Sequence, residues 1–219
     1  MPAASEVVDG AWEIKGGGVH MKTNNLLSGT VGWMAIVAGI AAILAFIFII
    51  VFFSAGEPFG TINDVFNGLF AIVSAVLAWR IFLEYPVRPI SINQIGLLLA
   101  AAGAVIAVTG SALVIFKITG WVLAGFYTGV GDALIGVWLA AFCYSILREG
   151  VLPHNLTRFG LTAGVLMALG LISLLGIVWK IDSMDAMPWY LNLGYFGFFG
   201  TYFLYPVWAI WLGRALLSK

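Results

Sequence analysis

Six long apolar runs constrain this chain more than any other feature of its sequence. A helix needs about 20 mostly apolar residues to cross a bilayer, and each of the six runs has that length. Charged residues and prolines separate one run from the next. The sequence therefore predicts six transmembrane helices, over residues 31–53, 62–82, 94–116, 121–147, 159–179 and 189–213.

The composition supports this interpretation. Of the 219 residues, 62% are hydrophobic and 9% are charged, whereas soluble domains average roughly 45–50% apolar and about 25% charged residues. We therefore expect an all-α fold, a polytopic integral membrane protein with a six-transmembrane-helix bundle over residues 26–219. Residues 1–25 are predicted to form a polar N-terminal arm, in which Met21 offers a second start.

The distribution of Lys and Arg predicts the orientation of the bundle. Cytoplasmic loops carry an excess of these residues. If both termini are cytoplasmic, eight Lys and Arg residues lie on the cytoplasmic side and two on the other side. The richer side holds Lys15, Lys22, Arg80, Arg88, Arg148, Arg158, Arg214 and Lys219, and the other holds Lys117 and Lys180. We expect a multi-pass protein of a cell membrane, of the bacterial inner-membrane type. The formal net charge is zero and no basic block occurs, which argues against a nucleic-acid partner.

Spans 2 and 4 share a pattern that predicts an internal repeat. Aligned without gaps, residues 59–80 and 127–148 both read aromatic-x4-Asp-x3-Gly-x-aromatic-x9-Arg. The matched pairs are Phe59/Tyr127, Asp64/Asp132, Gly68/Gly136, Phe70/Trp138 and Arg80/Arg148. In each copy the Asp precedes the Arg by sixteen residues, about 24 Å along a helix. Both carboxylates are thus predicted in the outer third of a hydrocarbon layer about 30 Å thick.

The two aspartates each allow a structural and a functional interpretation. Asp64 follows Pro58 and Gly60, and a carboxylate in a first helical turn can simply cap the helix. Asp132 lies three turns inside span 4 if that helix begins at Trp121, or in a first turn if Gly129 and Gly131 mark the start. An intramembrane carboxylate is by default a functional-site hypothesis. If the two approach each other, they can bind a cation or pass a proton.

Two sets of candidate site residues follow. The first would line an outward-facing cleft that binds an ion or small solute: Asp64, Asn67, Thr128 and Asp132. The second lies in span 6, where Pro206 removes a backbone N–H and aromatic residues are frequent. Tyr202, Tyr205 and Pro206 are candidates for a hydrophobic pocket that takes a lipid. For both sets, ordinary packing of small or aromatic side chains is the competing explanation.

Several classes of function lack the residues that they require. His20 and His154 lie outside the spans, which argues against intramembrane haem and zinc sites. The sequence shows no phosphate-binding loop and no serine with a nearby base in a span. We therefore predict no enzyme, no metal and no cofactor.

The function predicted from sequence is the binding or translocation of an ion or small solute through the cleft with two carboxylates. The alternatives are a non-catalytic accessory or assembly subunit of a membrane complex and a binder of lipid or another hydrophobic ligand. The expected partners are the lipid bilayer and either a second copy of the chain or another membrane protein.

Overall fold

Helices make up nearly all of the structure. The computed structural model describes residues 12–15, 18–21, 25–84 and 90–218. Over residues 25–84 and 90–218 its α-helices are α1 (Asn25–Ala55), α2 (Phe59–Glu84), α3 (Ile90–Ile115), α4 (Trp121–Glu149), α5 (His154–Ala168), α6 (Ser173–Val178), α7 (Gly194–Phe199) and α8 (Tyr205–Leu217). Two 3₁₀ segments, Leu169–Ile172 and Trp189–Leu193, and one π-helical segment, Gly200–Leu204, join the later helices.

Five helical stretches of the described residues are long and apolar enough to cross a membrane. They are Gly29–Ala55, Phe59–Glu84, Ile92–Ile115, Trp121–Glu149 and His154–Val178, and they coincide with the first five predicted runs. The sixth predicted run, 189–213, lies within residues 189–217, which form a 3₁₀, an α, a π and a second α segment in succession. The all-helical membrane class is thus confirmed, while the last run changes its helix type several times along its length.

A short hairpin is the exception to the all-α prediction. Strand β1 (Trp12–Lys15) pairs antiparallel with β2 (Gly18–Met21) inside the predicted N-terminal arm. A two-stranded hairpin is marginally stable on its own. The other residues of that arm up to 24, together with Arg88 and Lys219, lie outside the described residues.

Helix α4 lies at the centre of the bundle. It packs most extensively against α3 and α5 and also contacts α2, α6 and α7. Helix α1 packs between α2 and α8. In its most apolar stretch 67% of α4 is buried, against 28–44% for the other four candidate spans. A side chain on α4 is therefore removed from both lipid and water on most faces.

Glycines allow the neighbours of α4 to approach its backbone. A Cβ at Gly103 of α3 would lie 2.5 Å from the Gly131 carbonyl oxygen, and one at Gly136 would lie 2.9 Å from the Gly164 carbonyl oxygen of α5. Such contacts are typical of small-residue packing between membrane helices. Gly131 therefore lies well inside α4, which begins at Trp121, and it allows α3 to pack closely against the α4 backbone. Of the two alternatives for Asp132, the structure favours the position deep within the helix.

Loop carboxylates cap the starts of α2 and α4. Glu57 Oε2 accepts hydrogen bonds from the Thr61 N–H at 3.3 Å and the Thr61 hydroxyl at 3.1 Å. Asp182 reaches from the loop after α6 and accepts from the N–H groups of Gly120 at 2.8 Å and Leu123 at 3.2 Å. These acids satisfy N–H groups that a helix start leaves without partners.

Candidate ion or solute site

Asp132 is a buried carboxyl that has no hydrogen-bond partner among the described residues. It lies eleven residues after Trp121 in α4, and only 2% of its surface is exposed. Neither carboxyl oxygen accepts a hydrogen bond from the described residues. The Thr201 hydroxyl is close enough to interact with this carboxyl, but the two do not form a hydrogen bond of ordinary geometry. Because a buried polar group without a partner is costly, Asp132 is poised for a proton or an external ligand.

A chain of side-chain hydrogen bonds runs from α1 through α2 to the π segment. Asn63 donates its Nδ2 hydrogen to the Ala45 carbonyl at 2.7 Å. Asn67, one turn further along α2, donates to Asn63 Oδ1 at 3.2 Å. The Tyr202 hydroxyl donates to Asn67 Oδ1 at 2.9 Å. Three amide and phenol groups are thereby held in one arrangement across the bundle.

Tyr202 is the residue that connects the two predicted aspartates. Its phenol lies within electrostatic range of both Asp132 and Asp64. Asp64 is half-buried near the start of α2, where Glu57 is its charged neighbour. Tyr202, which the sequence placed in a separate pocket, is thus hydrogen-bonded to Asn67 and lies within electrostatic range of Asp64 and Asp132.

The backbone hydrogen bonding changes in the segment that carries Thr201 and Tyr202. In the π segment Gly200–Leu204, the Tyr205 N–H donates to the Gly200 carbonyl, five residues back. That donor would serve the Thr201 carbonyl in an α-helix, and Pro206 has no N–H to offer to Tyr202. The carbonyls of Thr201 and Tyr202 therefore lack their α-helical donors, and the buried Thr201 hydroxyl also has no partner among the described residues. Single π turns often occur at functional sites.

The remaining candidates serve the packing of the bundle. Thr128 is buried and donates its hydroxyl to the Ala124 carbonyl at 3.2 Å. Tyr205 is fully buried, with its hydroxyl 2.8 Å from Ser74 Oγ. Pro206 is buried as well, and its carbonyl faces Gly39 of α1. These three residues lie near the site but leave little polar capacity for a ligand.

A small cavity lies at the end of the bundle where α4 begins. Its volume is about 70 Å³, and its lining includes Trp121, Ser173, Met184 and Phe198. The Phe198 ring stacks on Tyr202 with centroids 6.0 Å apart. Phe198 thus separates the cavity from the polar groups around Asp132.

A larger apolar groove lies on another face of α4. Its volume is about 570 Å³, and Ile92, Val137, Ala140, Tyr144 and Val165 are among the residues that line it. Arg148 Nη2 donates to the Tyr144 hydroxyl at 2.6 Å, with the guanidinium carbon 4.9 Å from the Tyr144 ring centre. The groove therefore combines an apolar wall with a cation at one end, while Tyr202, Tyr205 and Pro206 lie elsewhere.

Sequence reasoning missed Thr201 and Asn63. Asn63 and Asn67 are four residues apart, and the i, i+4 spacing of two amides in one span is a readable signal for a shared helix face. Thr201 carried no such signal, because its role depends on a π turn in the last run. Ser111 of α3 is another buried hydroxyl without a partner within the described ranges, and Gly68 of α2 faces it.

The chain matches no protein-family model, no curated protein and no solved structure. Among the described residues, no group of three or more His, Cys, Asp or Glu side chains comes together in a way that would hold a metal ion. The polar groups around Asp132 are therefore the candidate functional site.

Proposed function

We propose that this chain is a six-span membrane protein, with both termini in the cytoplasm, that binds and translocates an ion or small solute. The observation that carries the proposal is the buried, unpartnered carboxyl of Asp132 beside the hydrogen-bonded pair Asn67 and Tyr202. Ionisable groups inside a bundle are expensive, and they typically mark ion pathways and proton relays. A purely structural carboxyl would instead be paired, as Asp182 is.

The access route in this proposal is the cavity at the start of α4. The positive-inside rule places that end on the outer face, because the basic residues there are Lys117 and Lys180. A solute entering the cavity meets Phe198 first and Tyr202 next. Rotation of the Phe198 ring would connect the cavity to Asp132.

Electrical recordings test this function for a range of small cations at once. The protein is reconstituted into liposomes on a solid-supported membrane, and currents are recorded after concentration jumps of protons, sodium or potassium. We expect a current from the wild type, at least tenfold smaller in Asp132→Asn and reduced in Tyr202→Phe. Tyr127→Phe, which alters a half-buried tyrosine of α4 that does not line the cavity, should behave as the wild type. Wild-type currents equal to those of empty liposomes, or full currents from Asp132→Asn, would refute the proposal.

A second candidate function is the binding of an anionic phospholipid. The groove of about 570 Å³ supports it, since Arg148 lies beside Tyr144 at its end and can attract a phosphate. Filling the groove through Ala140→Phe should remove lipid that co-purifies with the protein, as measured by native mass spectrometry. Ala101→Phe, on an exposed part of α3, provides the control. Equal lipid content in both variants would contradict this candidate.

A further inference from the structure

The polar groups around Asp132 form a defined set of oxygen donors. The carboxyl supplies one negative charge, and the buried Thr201 hydroxyl, which also has no hydrogen-bond partner among the described residues, lies near it. Thr201 belongs to the π segment, where the α-helical hydrogen bonding of the last run is interrupted. Membrane transporters bind sodium or protons near interruptions of their helices.

The charge of this set matches a monovalent ion. One carboxylate is neutralised by one positive charge, whereas calcium and magnesium sites are usually built with several carboxylates, waters or phosphates. The described residues contain no cluster of three His, Cys, Asp or Glu side chains that a transition metal would require. Oxygen ligands also suit a hard cation rather than a soft one.

We propose that the Asp132 carboxylate and the Thr201 hydroxyl bind a dehydrated monovalent cation, of the sodium class, in competition with a proton. This inference rests on the proposed function and names the ion for its site. The bound cation partners the carboxylate, and a proton does so when the cation leaves. Either occupant removes the cost of an isolated buried charge.

Few other titratable groups can affect the competition between the cation and the proton at Asp132. From the last helical run, the Tyr202 and Tyr205 phenols lie within electrostatic range of Asp132. From α2, Asp64 acts on the same Tyr202. Residues 90–115 and 159–178, which include α3, most of α5 and α6, contain no acidic, basic, tyrosine or cysteine residue. Asp132 is therefore the group whose protonation should control binding.

Binding of radioactive sodium to the purified protein tests the inference. The reference buffer holds choline chloride at the same ionic strength, and unfolding followed by tryptophan fluorescence verifies the fold of each variant. We expect saturable sodium binding to the wild type. Because a proton competes for the carboxylate, the apparent Kd for sodium should rise by up to about tenfold for each unit by which the pH is lowered. Asp132→Asn, which keeps the side-chain volume, should abolish binding, and Thr201→Val should weaken it at least tenfold.

Matched controls separate the site from general effects. Asp185→Asn changes an exposed loop carboxylate, and Thr109→Val changes an exposed hydroxyl that donates to the Val105 carbonyl. Both should bind sodium as the wild type does. Sodium binding that persists in Asp132→Asn overturns the inference. A wild type that carries proton current without binding sodium also overturns it while leaving the proposed function intact, whereas a wild type without any current refutes the proposed function itself.

Discussion

At the scale of single residues, two aspartates show how the same side chain serves structure or function. Asp182 accepts two backbone hydrogen bonds at the start of α4. Asp132, in the same helix, accepts none from the described residues. A carboxylate at a helix start is stabilised by N–H groups and by the helix dipole, and it needs no further role. The contrast indicates that Asp182 caps the helix, whereas Asp132 is the carboxyl that we propose as the ligand-binding group.

Removing the cap at Asp182 should destabilise the bundle. We expect Asp182→Ala to lower the free energy of unfolding by about 1 kcal/mol, because the N–H groups of Gly120 and Leu123 lose their acceptors. Thermal unfolding in detergent should shift downward by about 2–4 °C. Asp182→Asn keeps an acceptor oxygen and should lose less. Asp185→Ala, in the same exposed loop, is the control, and an equal shift in both variants would contradict the capping role.

Asp132 could be selected as a candidate from the sequence, but the residues that surround it could not be predicted. An aspartate inside an apolar run is visible from hydropathy alone, because few charged residues occur in the spans. Thr201 could not be selected, since nothing local in its sequence indicates a partner on α4. The pairing depends on how the last run packs against the rest of the bundle, and no local pattern records that packing.

At the scale of helices, the ends of α3 and α6 share an unusual backbone. Lys117 and Lys180 have φ values of 56° and 51°, in the left-handed region. At the end of α3, the Ile118 N–H donates to the Leu113 carbonyl and the Lys117 N–H to the Val114 carbonyl. This pair of bonds defines a Schellman motif, in which glycine usually occupies the left-handed position. Two lysines therefore occupy positions that favour glycine.

Glycine at position 117 should stabilise the protein. The left-handed conformation costs a residue with a Cβ about 1–2 kcal/mol, so Lys117→Gly should raise the free energy of unfolding by up to about 1 kcal/mol. Lys117→Val should lower it, because a β-branched side chain tolerates this conformation least. Arg148→Gly, within the last turn of α4, is the matched control and should be destabilising by about 1 kcal/mol. The same sign for Lys117→Gly and Arg148→Gly in thermal unfolding would contradict this account.

Helix boundaries were predictable from sequence because loops differ from spans in composition. The loop after α4 contains Gly150 in the left-handed region and Pro153 before α5, as helix-end signals lead one to expect. The segmentation of the last run was predictable only in part. Pro206 indicates an interruption near Tyr202, but it does not distinguish a kink from a π turn.

At the scale of the whole molecule, the burial of α4 could not be predicted. Its apolar residues surround the helix on all sides, so no periodicity identifies the face that contacts protein. The predicted repeat of spans 2 and 4 likewise stays a prediction. Asp64 lies five residues into α2 and is half-buried, whereas Asp132 lies eleven residues into α4 and is buried. The matched aspartates therefore lie at different distances from the starts of their helices and differ in burial.

Cysteine labelling tests whether the last run, residues 189–217, crosses the membrane. The buried Cys143 is first replaced through Cys143→Ala. In this background, Ser183→Cys adds an exposed thiol before the run, and, in a separate variant, Ser218→Cys adds one after it. The proposed six-span topology predicts that a membrane-impermeant maleimide labels position 183 on intact cells but labels position 218 only after lysis. Asn155→Cys, at an exposed position in the first turn of α5, should follow position 218.

The outcome decides between two arrangements of the same helical segments. If the run from Trp189 to Leu217 spans the bilayer, its π segment and Thr201 lie within the membrane, where carbonyls without donors must find a partner other than water. Labelling of positions 183 and 218 from the same side would mean that the run does not cross. That result would contradict the proposed six-span topology, although Thr201 would stay buried within the bundle.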